Sequence, residues 1–363
     1  MKLGRTFNHL EDLVFFYGCA GAHEALLHLE EIAGEKHKTL RMKWDGSPQI
    51  YWGREVLNGP LIIATHTSWL KGVKSTSGSD IENFINYQSG NPKTQLEIAD
   101  RAKFAKQFGE LYELFDNATP KDFVGFVYAD SMFLTRPSNV DGVYSFSPNV
   151  LSQTTYHVNA LSNLGKKIAK ANVMVVGHAR FDDFGAKDNL QIPMDDFSMF
   201  NSESLIVQSP LYNTIPVCID LEQVHYLKSF ITTNIDKFLD KRPGLSDLRD
   251  IIYTYVNQSA KCSQLDLVSS DHFLVWLGLS KVSANKQSKI RDLHFKYLAL
   301  DNIFMLVTGI MALKDSVINQ IEYGDQMRED IWDTNGEGRV RYADSTKQFG
   351  HVKFVPRKRW IPN

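Results

Sequence analysis

Lys43-Trp44-Asp45-Gly46-Ser47-Pro48 puts an amine, a carboxylate and a glycine into one short run, at a junction where a strand gives way to a turn. A lysine amine becomes a nucleophile only after losing its proton, and desolvation or a neighbouring cation can bring that about. The α-phosphate of a nucleotide is a centre that such an amine attacks. Asp45 is placed to align the amine or a metal, and Gly46 allows close backbone approach. Asp-Gly is also a common exposed β-turn, so the run by itself fits either reading.

Four later strings carry further candidates. In Gly125-Phe126-Val127-Tyr128-Ala129-Asp130-Ser131-Met132-Phe133 one acid interrupts an apolar strand. A carboxylate there faces a site or a partner, because burying it unpaired is costly, or it marks a strand end in solvent. Val173-Met174-Val175-Val176-Gly177-His178-Ala179-Arg180-Phe181 ends in an aromatic, which offers either a flat face to a purine or one more core ring. Asn335-Gly336-Glu337-Gly338 holds an acid between glycines. His351-Val352-Lys353-Phe354-Val355-Pro356-Arg357 sets Lys353 in a strand-like context, where a solvated basic tail is the plainer alternative.

The elements that must position these residues follow from periodicity. Residues 9–33 have a helical period with a break near Gly18 or Gly21. Short strands are expected at 39–44, 49–53 and 61–65, helix across 80–115, and strands again at 123–133, 142–146 and 173–181. Residues 219–323 read as helices at 221–239, 245–256 and 272–279, followed by one long periodic segment at 290–323. Extended segments return at 338–342 and 351–355. The expected fold is α+β, with mostly antiparallel sheets, an all-helical insertion at 200–330, and 1–199 with 331–363 as one domain around it.

The 363 residues are 43% hydrophobic and 23% charged, ordinary usage for a globular chain. Forty basic against 42 acidic residues leave a net charge of -2, which removes any global attraction to polyanions while leaving a local basic groove open. Cys19, Cys218 and Cys262 have neither disulfide-framework nor zinc-site spacing. From the polar opening and the short Leu13–Tyr17 apolar run no signal peptide is expected, and Ile303–Leu313 is too short to span a bilayer. A cytoplasmic protein with no membrane partner is expected.

Taken in order, the five strings resemble the motifs of the covalent nucleotidyltransferase superfamily, which includes ATP-dependent DNA ligases, RNA ligases and mRNA capping enzymes. Asp-Gly-Ser is more similar to RNA ligases; the DNA ligase pattern has an arginine where Pro48 stands, and Arg54 is a distant substitute. The resemblance covers 40–181 and 335–357. It implies a ligase-type nucleotidyltransferase domain around an ATP-grasp-like nucleotide cleft, and Lys43 as the nucleophile that takes AMP from ATP. Asp45 and Gly46 would lie against the nucleotide, Asp130 at the ribose and Phe181 on the base. Glu337 would hold Mg²⁺ (or Mn²⁺), and Lys353 would reach the α-phosphate, with Lys347 in place of the second lysine that Val355 replaces.

The implied partner is a nucleic acid, RNA more than DNA. Because the chain ends soon after the last motif, a C-terminal OB domain is not expected. The helical segment, with His225, Lys228, Lys237, Lys241, Arg242 and Arg249, is the expected substrate-binding replacement. The arrangement, including His9-Leu10-Glu11-Asp12 and Phe146-Ser147-Pro148-Asn149, is also similar to proteins of large tailed bacteriophages, which would make it a nucleic-acid repair enzyme of the host cytoplasm. Two alternatives stand beside strand joining: nucleotidyl transfer to an RNA end or a protein, and a noncatalytic protein on the same fold.

Overall fold

The computed structural model describes residues 7–33, 40–42, 44–87, 90, 95–149, 154–187, 190–210, 216–231, 245–328, 331–333, 339–341 and 351–357. Lys43, Glu337 and Lys347 lie outside the described residues.

In chain order the elements begin with β1 (Phe7–His9), α1 (Asp12–Ala33), β2 (Leu40–Met42), β3 (Gln49–Arg54), β4 (Ile62–Thr65), α2 (His66–Leu70), α3 (Gly78–Tyr87) and α4 (Gln95–Ala118). Then come β5 (Gly125–Phe133), β6 (Asn139–Val140), β7 (Val143–Phe146), β8 (Tyr156–Asn159), α5 (Asn163–Ile168), β9 (Val173–Phe181), β10 (Ile192–Pro193) and β11 (Leu205–Gln208). The chain continues with α6 (Leu221–Phe230), α7 (Leu245–Lys261), α8 (Ser270–Leu279), α9 (Ala284–Tyr297), α10 (Ala299–Arg328), β12 (Ile331–Asp333), β13 (Arg339–Arg341) and β14 (His351–Phe354). The fold is mixed α+β. Among the described strands every pairing is antiparallel except β1–β14 and β9–β11.

The chain packs as two units. Lys43–Tyr212 with Asp325–Glu337 forms a strand-rich unit; Met1–Met42, Asn213–Gly324 and Gly338–Asn363 form a helical one. These boundaries differ from the expected division at 199/200 and 330/331. The sheet does resume after the helices, but β13 and β14 join β2 and β1 in the order β1-β14-β13-β2, inside the helical unit. Backbone hydrogen bonding between strands far apart in sequence decides that membership, and no local pattern records it.

In the strand-rich unit the larger sheet runs β10-β9-β5-β3-β4, with β11 also on β9. Strand alternation divides its side chains between two faces. Ile50, Trp52, Val127, Ala129, Val173 and Val175 bury one face against Ile81 and Phe84 of α3 and Phe108 and Phe115 of α4. Tyr51, Phe126 and Phe181 build the other with Trp69 of α2. Arg54 is fully buried, donating to the Gly59 carbonyl at 2.7 Å and to Asp116 at 2.5 Å. It ties the end of β3 to α4, so it is a structural arginine and not a substitute at Pro48. A second sheet runs β12-β8-β7-β6.

In the helical unit, α1 breaks at Gly18, whose φ of 64° is open to glycine at little cost. The expected single segment at 290–323 is instead two helices, α9 and α10, bent by 85° at Leu298, which takes a left-handed φ of 52°. Turning there keeps Leu298 exposed while Ala299, Leu300, Ile303 and Phe304 enter the core. Packing overrides the continuous period. No single helix among the described residues is long and apolar enough to cross a membrane.

Two of the insert's basic residues have an acidic partner: half-buried Lys228 donates to Glu30 of α1, and exposed His225 lies 3.5 Å from the same carboxylate. They do not form a free basic face. Arg249 is half-buried on α7, and Lys237, Lys241 and Arg242 lie outside the described residues.

Candidate functional site

Residues 44–48 are held from two sides within the strand-rich unit. On one side they lie on β5: the Ser47 amide donates to the Ser131 carbonyl at 3.0 Å, and the Ser131 amide donates to Pro48 at 3.0 Å. Gly46 touches the strand. A Cβ at Gly46 would sit 2.7 Å from both the Asp130 Cβ and the Ser131 carbonyl oxygen, so only glycine fits without displacing the turn.

On the other side stands Tyr156 of β8, fully buried. Its hydroxyl accepts the Asp45 amide hydrogen at 2.9 Å, and its ring lies 5.0 Å from Trp44 and 5.8 Å from Phe146. Asn149 donates its side-chain amide to Asp45 Oδ2 at 3.1 Å. Tyr156 also pairs with Asp333 across β8–β12. One buried tyrosine therefore touches the turn next to Lys43 and the strand that leads to Glu337.

Asp130 belongs to a polar row on the Tyr51 side of the sheet. Gln49 donates to the Tyr128 hydroxyl at 2.9 Å; Tyr128 donates to Asp130 Oδ1 at 3.4 Å; His178 Nε2 lies 3.0 Å from Asp130 Oδ2. Tyr51 stacks on Tyr128 at 5.1 Å and on Trp69 at 4.4 Å. At the Gln49 end of the sheet a cleft of about 430 Å³ is lined by Pro48, Gln49, Thr65, His66, Asp100 and Arg101 among others, and by none of Asp45, Gly46, Asp130, Tyr128 or His178. That volume falls in the range of small-molecule sites.

The expected site residues divide accordingly. Asp45, Gly46 and Asp130 come together. Phe181 shares their sheet but is fully buried against Trp69 at 5.1 Å, with Tyr51 and Phe126 in the same cluster, and has no free face for a base. This corrects the expectation. The strand carries Phe181 inward, and the half-exposed ring on that face is Tyr128. Lys353 lies on β14 in the helical unit, opposite His9 of β1. Tyr156 and the pairing of His178 with Asp130 have no local signal in the sequence; Tyr128, His178 and Asn149 stand there only within longer strings.

As for a metal, Asp45 and Asp130 are hard oxygen donors of the type magnesium takes. Magnesium is commonly held by one or two carboxylates together with substrate phosphates. Among the described residues no group of three or more metal-ligating side chains comes together, and Glu337 lies outside them; two carboxylates would suit only an ion that shares its ligands with substrate phosphates.

Fold and site together define a mixed α+β protein in which a Trp-Asp-Gly turn is clamped between a sheet acid and a buried tyrosine. The chain belongs to the family of unknown function DUF6267, whose family model matches residues 5–360. No curated protein and no solved structure matches it.

Proposed function

We propose that this protein is an ATP-dependent, RNA-ligase-type nucleotidyltransferase that works through a covalent lysyl-AMP on Lys43. The supporting observation is the convergence on residues 44–48. Gly46 rests on Asp130, and Tyr156 links Asp45 to the strand ahead of Glu337. Two motif-bearing segments far apart in sequence, residues 44–48 and β5, meet at one place, and β12, just ahead of the Glu337 string, is joined to them through Tyr156.

In the proposed step the Lys43 amine attacks the α-phosphorus of ATP. An N–P bond forms, the bond to the β-phosphate oxygen breaks, pyrophosphate leaves and the amine gives up its proton. The adenylate then passes to a 5′-phosphate, and a 3′-hydroxyl displaces AMP. In the second transfer the N–P bond breaks and the amine regains a proton; all three are in-line transfers that depend on positioning and charge neutralisation. A bound magnesium ion would supply that neutralisation. Asp45 aligns the amine, Gly46 admits the phosphate chain close to the backbone, and Asp130 faces the ribose.

Intact-protein mass after incubation with ATP and magnesium tests the reading, beside GTP and Lys43→Ala. A gain of one AMP that Lys43→Ala abolishes is expected. Protein free of prior adenylate that gains no mass from either nucleotide sinks the proposal and favours a noncatalytic protein. Adduct formation without joining of 5′-phosphorylated RNA would redirect it to nucleotidyl transfer. Asn149→Ala removes the donor that orients Asp45, and is expected to slow adduct formation roughly tenfold with little change in melting temperature, as loss of a ligand-orienting partner does elsewhere. An unchanged rate would mean that Asp45 needs no such support.

A further inference from the structure

Asp130 has a histidine partner to which the family resemblance gives no role. Gly177 has no space for a side chain: a Cβ there would lie 2.4 Å from the Phe197 ring, in the core shared with α3 and α4. Alternation along β9 therefore sends His178 to the opposite face. The pairing of β5 with β9 shifts register between Tyr128 and Ala129, and such bulges re-aim side chains. The result is the 3.0 Å contact of His178 Nε2 with Asp130 Oδ2, the imidazole lying 5.1 Å from the Tyr128 ring. Both side chains remain partly open, at 13% and 12% exposure.

We propose that His178 is a positioning residue. It holds the Asp130 carboxylate in the orientation that accepts hydrogen bonds from ribose hydroxyls, and so makes the site select ribonucleotides over 2′-deoxyribonucleotides. The inference rests on the reading of Asp130 as the acid that faces the nucleotide. A carboxylate has about four acceptor positions. His178 and Tyr128 take one on each oxygen, which leaves one on each for a vicinal diol. Fixed in this way, the carboxylate loses a hydrogen bond when the 2′-hydroxyl is missing, and sites built to bond a hydroxyl discriminate strongly against the analogue without it. Without His178 the carboxylate turns about its terminal torsion and adapts to either sugar.

The test is equilibrium binding of AMP and 2′-deoxy-AMP by titration calorimetry to the full chain, cleared of adenylate with pyrophosphate. The wild type is expected to prefer AMP by about tenfold, the value of one well-made hydrogen bond. His178→Ala should bring the two affinities within about threefold of each other, and His178→Gln, which keeps a donor, should restore the preference. Should His178→Ala fail to fold, His178→Met against His178→Gln makes the same comparison at similar side-chain length. A wild-type preference that survives loss of the donor overturns the proposal, as does a wild type that binds both nucleotides equally. AMP cannot adenylate Lys43. A His178-dependent preference in a protein that gains no mass from ATP would therefore overturn the covalent reading and leave this inference standing, whereas no AMP binding by a protein that does gain AMP from ATP overturns this inference and leaves the covalent reading standing.

Discussion

Lys314→Met is expected to destabilise the helical unit by about 3–5 kcal/mol, the usual result of leaving a buried charge without its partner. Lys314 and Glu11 are both fully buried, and the ammonium donates to the two carboxylate oxygens at 3.0 and 2.8 Å. Arg357 donates to Glu11 at 2.8 Å and to Asp12 at 2.6 Å, and its other nitrogen donates to Asn257 at 2.7 Å. Two cations thus balance two carboxylates, tying the start of α1 to α10, α7 and the residues after β14. Removing Lys314 leaves one negative charge in excess.

The pH dependence has a definite sign. Burial alone would raise the Glu11 carboxyl, but attraction to Lys314 and Arg357 outweighs it and holds the group well below the usual carboxylate range. A depressed carboxyl stabilises the fold above its unfolded value of about 4.3, and that stability is lost as pH falls from there through the depressed folded value. Asp12 works the other way: burial raises it and Arg357 only partly offsets the rise, so its contribution is lost as pH rises. The deficit of Lys314→Met should therefore be largest near pH 7 and shrink toward pH 3, where Glu11, released from the lysine's attraction, can protonate in the variant. Urea unfolding followed by circular dichroism at both values measures it. An equal deficit at the two values would show that Lys314 acts through packing alone. The double variant Glu11→Gln, Lys314→Met should recover much of the loss.

After Lys43→Ala itself, Gly46→Ala carries the largest expected effect on activity, a fall in the rate of adduct formation of at least about 10²-fold. The added Cβ would meet the Asp130 Cβ and the Ser131 carbonyl oxygen at 2.7 Å, and both belong to the central strand β5. The turn has to move, and displacement of a reacting group by about 1 Å is enough for a loss of that size. The stability change should be smaller, about 1–3 kcal/mol, as for other overpacked positions. Rates from intact mass and melting temperatures from calorimetry separate the two. A variant that takes up AMP at the wild-type rate would show that the contact of Gly46 with Asp130 does not position Lys43, and with it the main support for the proposed function would go.

Local patterns in the sequence determined much of the element list. Short apolar runs bounded by turn residues marked β3, β5 and β9, and helical periods marked α1, α4 and the segment from α6 to α10. A glycine break in α1 was visible because glycine alone takes that backbone at low cost. The Lys43 to Pro48 run and Asp130 stood out because acids and glycines interrupting apolar strands are chemically conspicuous.

Only the tertiary structure decided which of these meet. Asn149 and Tyr156 lie 104 and 111 residues from Asp45, and Arg357 lies 346 from Glu11, separations over which no periodicity carries information. Alternation along β9 says that Gly177 and His178 point to opposite faces, but not that Phe197 covers one and Asp130 stands on the other. Phe181 reads equally well as a base platform or a core ring, and Trp69 packed over it decides for the core. The turn at Leu298 has no glycine or proline to announce it; the gain from burying Ala299 to Phe304 in the helical core outweighs the cost of one left-handed leucine. Sequence determines such features locally, through propensity and pattern. The partners across a sheet or core are fixed by the folded chain as a whole, because hydrogen bonding and burial are satisfied in space.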